Sequence, residues 1–174
     1  MEKIIFHKET KTFHLYNEEI SYIMCVLENG HMGQLYYGKR IHDKPDFSYL
    51  VEKCGRPMTS YIFEGDRSFS LEHIRQEYPV YGTTDYRHPA IEIMQENGSN
   101  ISEFKYVGYE ILKGKPSLKG LPATYTESEE EAETLKIILK DSLTGAKLTL
   151  LYTIFSKGSA IARSAHICLS LIHI

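Results

Sequence analysis

LKIILKDSLTGAKLTLLYTIF, Leu135 to Phe155, is the stretch whose reading decides the fold. Leu135, Ile137 and Leu139 recur at every second position in its first half, and Leu148, Leu150, Tyr152 and Ile154 do so in its second. A pleated strand turns alternate side chains to opposite faces, so each set lines one face of a strand. Asp141-Ser142-Leu143-Thr144-Gly145 between them carries turn chemistry, and the stretch predicts a β-hairpin. Leu151 and Phe155 add apolar groups to the second face of the later strand. Cover on both sides follows, which points to a layered β-sandwich rather than one solvent-backed sheet.

The same signals extend outward. Ser21 to Leu27 suits a pleated surface, Glu28-Asn29-Gly30 is a strong turn, and Met32 to Tyr37 reads as the returning strand. Ile91 to Gln95 and Phe104 to Leu112 flank Glu96-Asn97-Gly98-Ser99-Asn100 and predict a further hairpin. Helix is confined to a short piece over Ser70 to Gln76, with Ser70 as N-cap and Glu72 near the favourable end. Ile41 to Phe69, broken by Pro45, Gly55, Pro57 and Gly65, is long and irregular, and connections of that length tend to be functional or disordered. Glu127, Glu129, Glu130, Glu131 and Glu133 read as a solvated loop ahead of a strand. The fold class is all-β and mainly antiparallel, a β-sandwich with little helix.

Composition excludes several function classes. The 174 residues, 42% hydrophobic, suffice for one domain with a buried core. A net charge of −3, with basic residues spread along the chain, argues against nucleic acid as a partner. Met1 to His7 lacks a signal-peptide core and no apolar run reaches the length of a membrane span, so a cytoplasmic protein without membrane partners is expected. Cys25, Cys54 and Cys168 show neither CxxC spacing nor a disulfide framework, and Cys25 reads as core. The thirteen tyrosines could stack on sugars, but they equally suit strands and interfaces.

Motifs for catalysis are absent. His7, His14, His31, His42, His73, His88 and His166 lack HxH or HExxH spacing, which predicts no metal site and isolated surface or edge histidines. No serine sits in a GxSxG elbow and no glycines compose a phosphate loop, so no cofactor is expected. Asp85, two residues before Arg87, is the one tempting acid, and an ion pair bracing a loop is the plainer alternative.

Two long motifs, QEYPVYGTTDYRHPAIEIMQENGSNIS (Gln76 to Ser102) and GKPSLKGLPATY (Gly114 to Tyr125), resemble the N-terminal region of family 36 glycoside hydrolases, the large microbial α-galactosidases. The resemblance begins near FHLYNEEISY (Phe13 to Tyr22), runs through GQLYYGK (Gly33 to Lys39) and reaches TLLYTIFSKGSAIARSA (Thr149 to Ala165), so it covers nearly the whole chain. It implies a retaining enzyme that releases terminal α-linked galactose from oligosaccharides such as melibiose and raffinose. In that family two catalytic aspartates lie in a (β/α)8 barrel that follows the sandwich, so residues 1–168 are expected to be a partial N-terminal domain, inactive alone and without catalytic residues of its own. Residues 169–174, LSLIHI, look like the translation of a transposon end used in sequencing libraries, the alternative being an ordinary apolar strand.

In tetrameric members, a loop of one subunit's N-terminal domain reaches the active-site pocket of another, which implies a homo-oligomer. Asp66-Arg67-Ser68-Phe69 is similar to that arginine-bearing segment and makes Arg67 the candidate substrate-binding residue; a solvent-facing arginine in a mobile loop is the alternative. Val51 stands near the position of an acidic residue found in some relatives, and Tyr37 replaces the tryptophan of YWGK. A free-standing carbohydrate-binding module and a purely structural oligomerisation domain remain the alternative functions.

Overall fold

The computed structural model describes residues 3–120 and 124–169. Within them, β1 (Ile4–His7), β2 (Thr12–Tyr16), β3 (Ile20–Val26) and β4 (Met32–Lys39) form one four-stranded antiparallel sheet in chain order. β5 (Phe104–Lys113), β6 (Ala132–Asp141), β7 (Lys147–Phe155) and β8 (Ile161–Cys168) form a second. The sheets pack face to face as a sandwich. No helix among the described residues is long and apolar enough to cross a membrane.

The β6–β7 hairpin follows the alternation of its sequence. Leu135 pairs with Tyr152, Ile137 with Leu150 and Leu139 with Leu148, and all six side chains are buried. Ile4, Phe13, Leu15, Tyr22 and Met24 of the first sheet share their cluster. Each fully buried aliphatic or aromatic side chain contributes about 1.5–3 kcal/mol relative to exposure, so this seam is the main source of cohesion. On the outer face of β7, half-buried Leu151 shares a shallow groove with Pro116 and Leu118 from the segment after β5.

The first sheet is buried on its other side as well. Ile23, Cys25 and Leu27 point away from the sandwich seam and meet Phe47, Phe69, Leu71 and Ile74 in a second cluster. The irregular segment after β4 is therefore a third layer. Its breakers prevent regular structure, while the spaced aromatic and aliphatic residues anchor it on β3.

Two expected elements are corrected. Residues 91–95 form no strand; β5 pairs instead with β6, from Phe104↔Asp141 to Lys113↔Glu133. The Asn97-Gly98 turn closes locally through Gly98 N to Gln95 O (2.9 Å) and Gln95 N to Ser99 O (2.8 Å), while Ile91 and Ile93 pack against the main cluster. The helix over 70–76 shrinks to a single turn, with Ile74 N donating to Ser70 O at 3.3 Å. Pairing with the start of β4 overrides helical propagation there: Gln34 N donates to Arg75 O (2.9 Å) and Glu77 N to Met32 O (2.9 Å). Only short 3-10 turns, Ser48–Leu50 and Glu129–Glu131, are helical among the described residues. Of the expected non-native tail, Leu169 is exposed and residues 170–174 lie outside the described residues.

Candidate functional site

Arg67 is exposed on the third layer, and its neighbours explain why. Gly65 adopts φ +84°, and Asp66 Oδ1 accepts the Ser68 amide (2.8 Å) and hydroxyl (2.6 Å), folding the chain into a tight turn. Those hydrogen bonds hold the Asp66 carboxyl below the usual carboxylate range. Phe69 then plunges into the second cluster, so the residue at the crest faces water. The Arg67 guanidinium lies 5.9 Å from the ring centroid of half-exposed Tyr61, a cation–π pair that leaves its hydrogen-bond donors without a partner among the described residues. Tyr61 was not singled out by the sequence, since no periodicity in this irregular segment pairs positions six residues apart.

The companion positions are structural. Val51 is half-buried against the second cluster and brings no charge to Arg67. Tyr37 donates its hydroxyl to Ser159 O at 2.9 Å and stacks obliquely on Tyr22, bracing the turn between β7 and β8.

Asp85 is a brace. Its Oδ1 accepts Arg87 Nε (2.8 Å) and the Arg87 amide (3.2 Å), while Oδ2 accepts Arg87 Nη2 (2.8 Å) and Gln76 Nε2 (2.8 Å). Burial pushes this carboxyl up, but the Arg87 and Gln76 hydrogen bonds outweigh it and hold the pKa low, the opposite of a proton donor. The turn beside it is strained: Thr83 and Thr84 sit at φ +47° and +72° between the reciprocal Gly82–Asp85 backbone bonds. Left-handed backbone costs a β-branched residue about 1–2 kcal/mol, so something must offset it. Thr84 Oγ1 accepts the Leu71 amide at 2.9 Å, and Arg87 Nη2 donates to Leu71 O at 3.1 Å.

A buried polar knot between the sheets escaped the sequence. Glu77 Oε1 accepts the Tyr22 hydroxyl (2.6 Å), and Oε2 accepts the Tyr152 hydroxyl (2.7 Å) and Arg163 Nη2 (2.9 Å). Burial raises the Glu77 pKa against the pull of Arg163 and the two hydroxyls, and burial beside that carboxylate raises both tyrosines. Both carboxylate oxygens accept hydrogen bonds, and the knot ties β3, β7 and β8 to the chain around residue 77.

Ser21, His14 and Asp43 lie in the order of a hydrolytic triad. His14 Nε2 is 2.9 Å from Ser21 Oγ and Nδ1 is 2.7 Å from Asp43 Oδ1, which His7 Nε2 also meets at 2.9 Å. Ser21 and His14 are both 0% exposed, so no substrate carbonyl can reach the hydroxyl. The relay serves as an anchor: Ser21 Oγ also accepts the Ile41 amide at 3.1 Å, and Asp43 closes the root of the irregular segment. Burial lowers the His14 pKa against Asp43's opposing hydrogen bond. His14 and His31 thus correct the expectation of surface histidines, both being buried. Among the described residues, no group of three histidine, cysteine or acidic side chains could hold a metal ion.

A cleft of about 840 Å³ is bordered by Lys3, Tyr16, Arg40, Lys113, Glu129 and Glu130. Both cations and carboxylates line it. The Arg40 guanidinium lies 5.2 Å from the Tyr16 ring centroid, and the tilted His14 ring is 5.0 Å away.

Comparison with known proteins bears on these surfaces. The family model of the glycosyl hydrolase family 36 N-terminal domain matches residues 30–169. Alpha-galactosidase AgaA of Geobacillus stearothermophilus is 42% identical over 162 residues, covering 93% of this chain and 22% of the relative. Alpha-galactosidase 1 of Pediococcus pentosaceus is 35% identical over 175 residues, 97% of this chain and 23% of its own length. The crystal structure of the alpha-galactosidase from Lactobacillus brevis superposes with a TM-score of 0.89 at 37% identity, over 94% of this chain and 22% of that one. A variant of AgaA in complex with raffinose gives a TM-score of 0.84 at 42% identity, over 91% and 22%. The chain spans about a fifth of the length of these relatives.

Proposed function

The chain belongs to the glycosyl hydrolase family 36 N-terminal domain family, and on that premise we propose that it is the N-terminal sandwich of a retaining α-galactosidase. The complete enzyme releases terminal α-linked galactose from oligosaccharides such as melibiose and raffinose. The observation that carries this reading is the match of 91–97% of the chain to α-galactosidases at 35–42% identity, together with the raffinose complex of one of them.

The domain's role is to bind and present, with the chemistry elsewhere. Retention requires two carboxyl groups about 5–5.5 Å apart, one nucleophilic and one able to give and recover a proton. The carboxylates weighed above are committed otherwise: Asp85 to Arg87, Glu77 to the knot between the sheets, and Asp43 to two histidines. Residues 1–168 therefore act as a partial domain that is silent by itself. Arg67 is the substrate-binding residue, offering its donors to sugar hydroxyls in the pocket of a neighbouring subunit of a homo-oligomer. With its cysteines carried as free thiols, the enzyme is assigned to the cytoplasm.

The test compares this chain with a longer α-galactosidase that carries it, using a chromogenic α-galactoside. Turnover is expected from the longer enzyme and none above the buffer blank from residues 1–174. Activity of the short chain that survives successive columns and vanishes in Asp85→Ala would move the chemistry into this domain.

A further inference from the structure

Leu71, four residues beyond Arg67, is held by a turn that is unfavourable in isolation. In the two-residue hairpin Gly82-Thr83-Thr84-Asp85, both central residues have positive φ, a conformation suited to Asn-Gly and resisted by branched side chains. The strained geometry brings the Thr84 hydroxyl to Leu71 N–H at 2.9 Å, with the Ser70 hydroxyl also within 3.3 Å. Arg87, fixed by buried Asp85, takes the Leu71 carbonyl at 3.1 Å. Both backbone groups of Leu71 are thus held by residues 84–87. Three residues upstream, Ser68 O accepts Cys54 N at 3.1 Å and His73 Nε2 at 3.2 Å. Arg67 rides on the short strip between these holds and the Gly65-Asp66 turn.

We infer that Thr84 is a positioning residue for Arg67: its strained backbone is retained because it places a hydroxyl on the Leu71 amide and so sets the strip that presents the guanidinium. The inference rests on the proposed role of Arg67. Glycine at 84 would relieve the backbone but lose the acceptor, and valine would keep the shape without it; serine retains the hydroxyl. The strip is thereby ordered before substrate arrives, so binding need not supply that ordering.

The experiment has two arms. In the full chain, amide hydrogen exchange is followed by NMR in Thr84→Gly, Thr84→Val and Thr84→Ser. Loss of one hydrogen bond should speed exchange at Leu71 by about fivefold or more in the glycine and valine variants, with serine near the parent. Ile137 and Leu150 in the β6–β7 seam should be unchanged. Parent-like exchange at Leu71 in Thr84→Gly overturns the inference, and that variant stays informative should valine prevent folding.

In a longer α-galactosidase carrying the domain, Thr84→Gly should raise KM for raffinose at constant kcat, with serine restoring it. The effect should disappear in an Arg67→Ala background. Persistence of the full KM effect there overturns the route through Arg67. An unchanged KM in Arg67→Ala alone instead defeats the assignment of Arg67 as a substrate residue, while the exchange arm still decides whether Thr84 sets the strip.

Discussion

Tyr152 on β7 donates its hydroxyl to Glu77 Oε2 at 2.7 Å across 75 residues of chain, and the same carboxylate receives Tyr22 from the opposite sheet. One buried charge thus links two hydrophobic layers. Arg163 supplies the compensating cation from β8, with its side chain still 46% exposed while Glu77 is 0% exposed.

Breaking that knot should be expensive. Glu77→Ala leaves two buried hydroxyls without their acceptor and frees Arg163, and a loss of about 3 kcal/mol is expected. Urea unfolding at pH 7 measures it. A loss under about 0.5 kcal/mol would mean that the knot is ornamental.

His31 predicts an acid limb. It is 3% exposed, neither ring nitrogen has a hydrogen-bond partner among the described residues, and burial pushes its pKa down to about 4, with Glu103 opposing and Lys105 assisting. Because the folded value lies below the unfolded one of about 6.5, the unfolded chain binds the proton first. Stability from this group is complete above about pH 6.5 and is lost as pH falls toward 4, by about 2–3 kcal/mol at pH 4.5. His31→Leu should flatten that part of the pH profile relative to the parent chain. Parallel profiles of the two proteins between pH 7 and 4.5 would contradict the buried neutral ring.

Ile137 and Val107 test the two faces. Ile137→Ala opens a cavity at a fully buried position opposite Leu150 and should cost about 2–5 kcal/mol. Val107→Ala, on an exposed strand position, should stay within about 0.5 kcal/mol. Thermal melts that rank them the other way would refute the sandwich seam.

Asp85→Ala should weaken the fold rather than chemistry. The carboxylate is buried and takes four hydrogen bonds, whereas Arg87 is 58% exposed, so much of the effect comes from losing the acceptor and little from the screened ion pair. A loss of about 2 kcal/mol by denaturant titration is expected. Unaltered stability would count against the brace.

Legibility followed the range of the interaction. The hairpin within 135–155 and the one joining β3 to β4 could be read because alternation and turn residues act between neighbours. The turn at Asn97-Gly98 was equally visible, yet the strand it was thought to join is absent, since β5 found a longer and more apolar partner in β6. The candidacy of Arg67 rests on its motif alone, whereas the Tyr61 ring near its guanidinium is a matter of side-chain packing.

The sequence alone determined the all-β class, two of the hairpins, the core position of Cys25 and the family, because period-two patterning and contiguous motifs are written in adjacent residues. Tertiary structure alone decided that the irregular segment is a third layer, that Glu77 is buried, that His14 is closed off from solvent and that Asp85 is a brace. Each of these depends on which distant atoms satisfy a buried polar group or cover an apolar face, and a linear pattern carries no record of those distances.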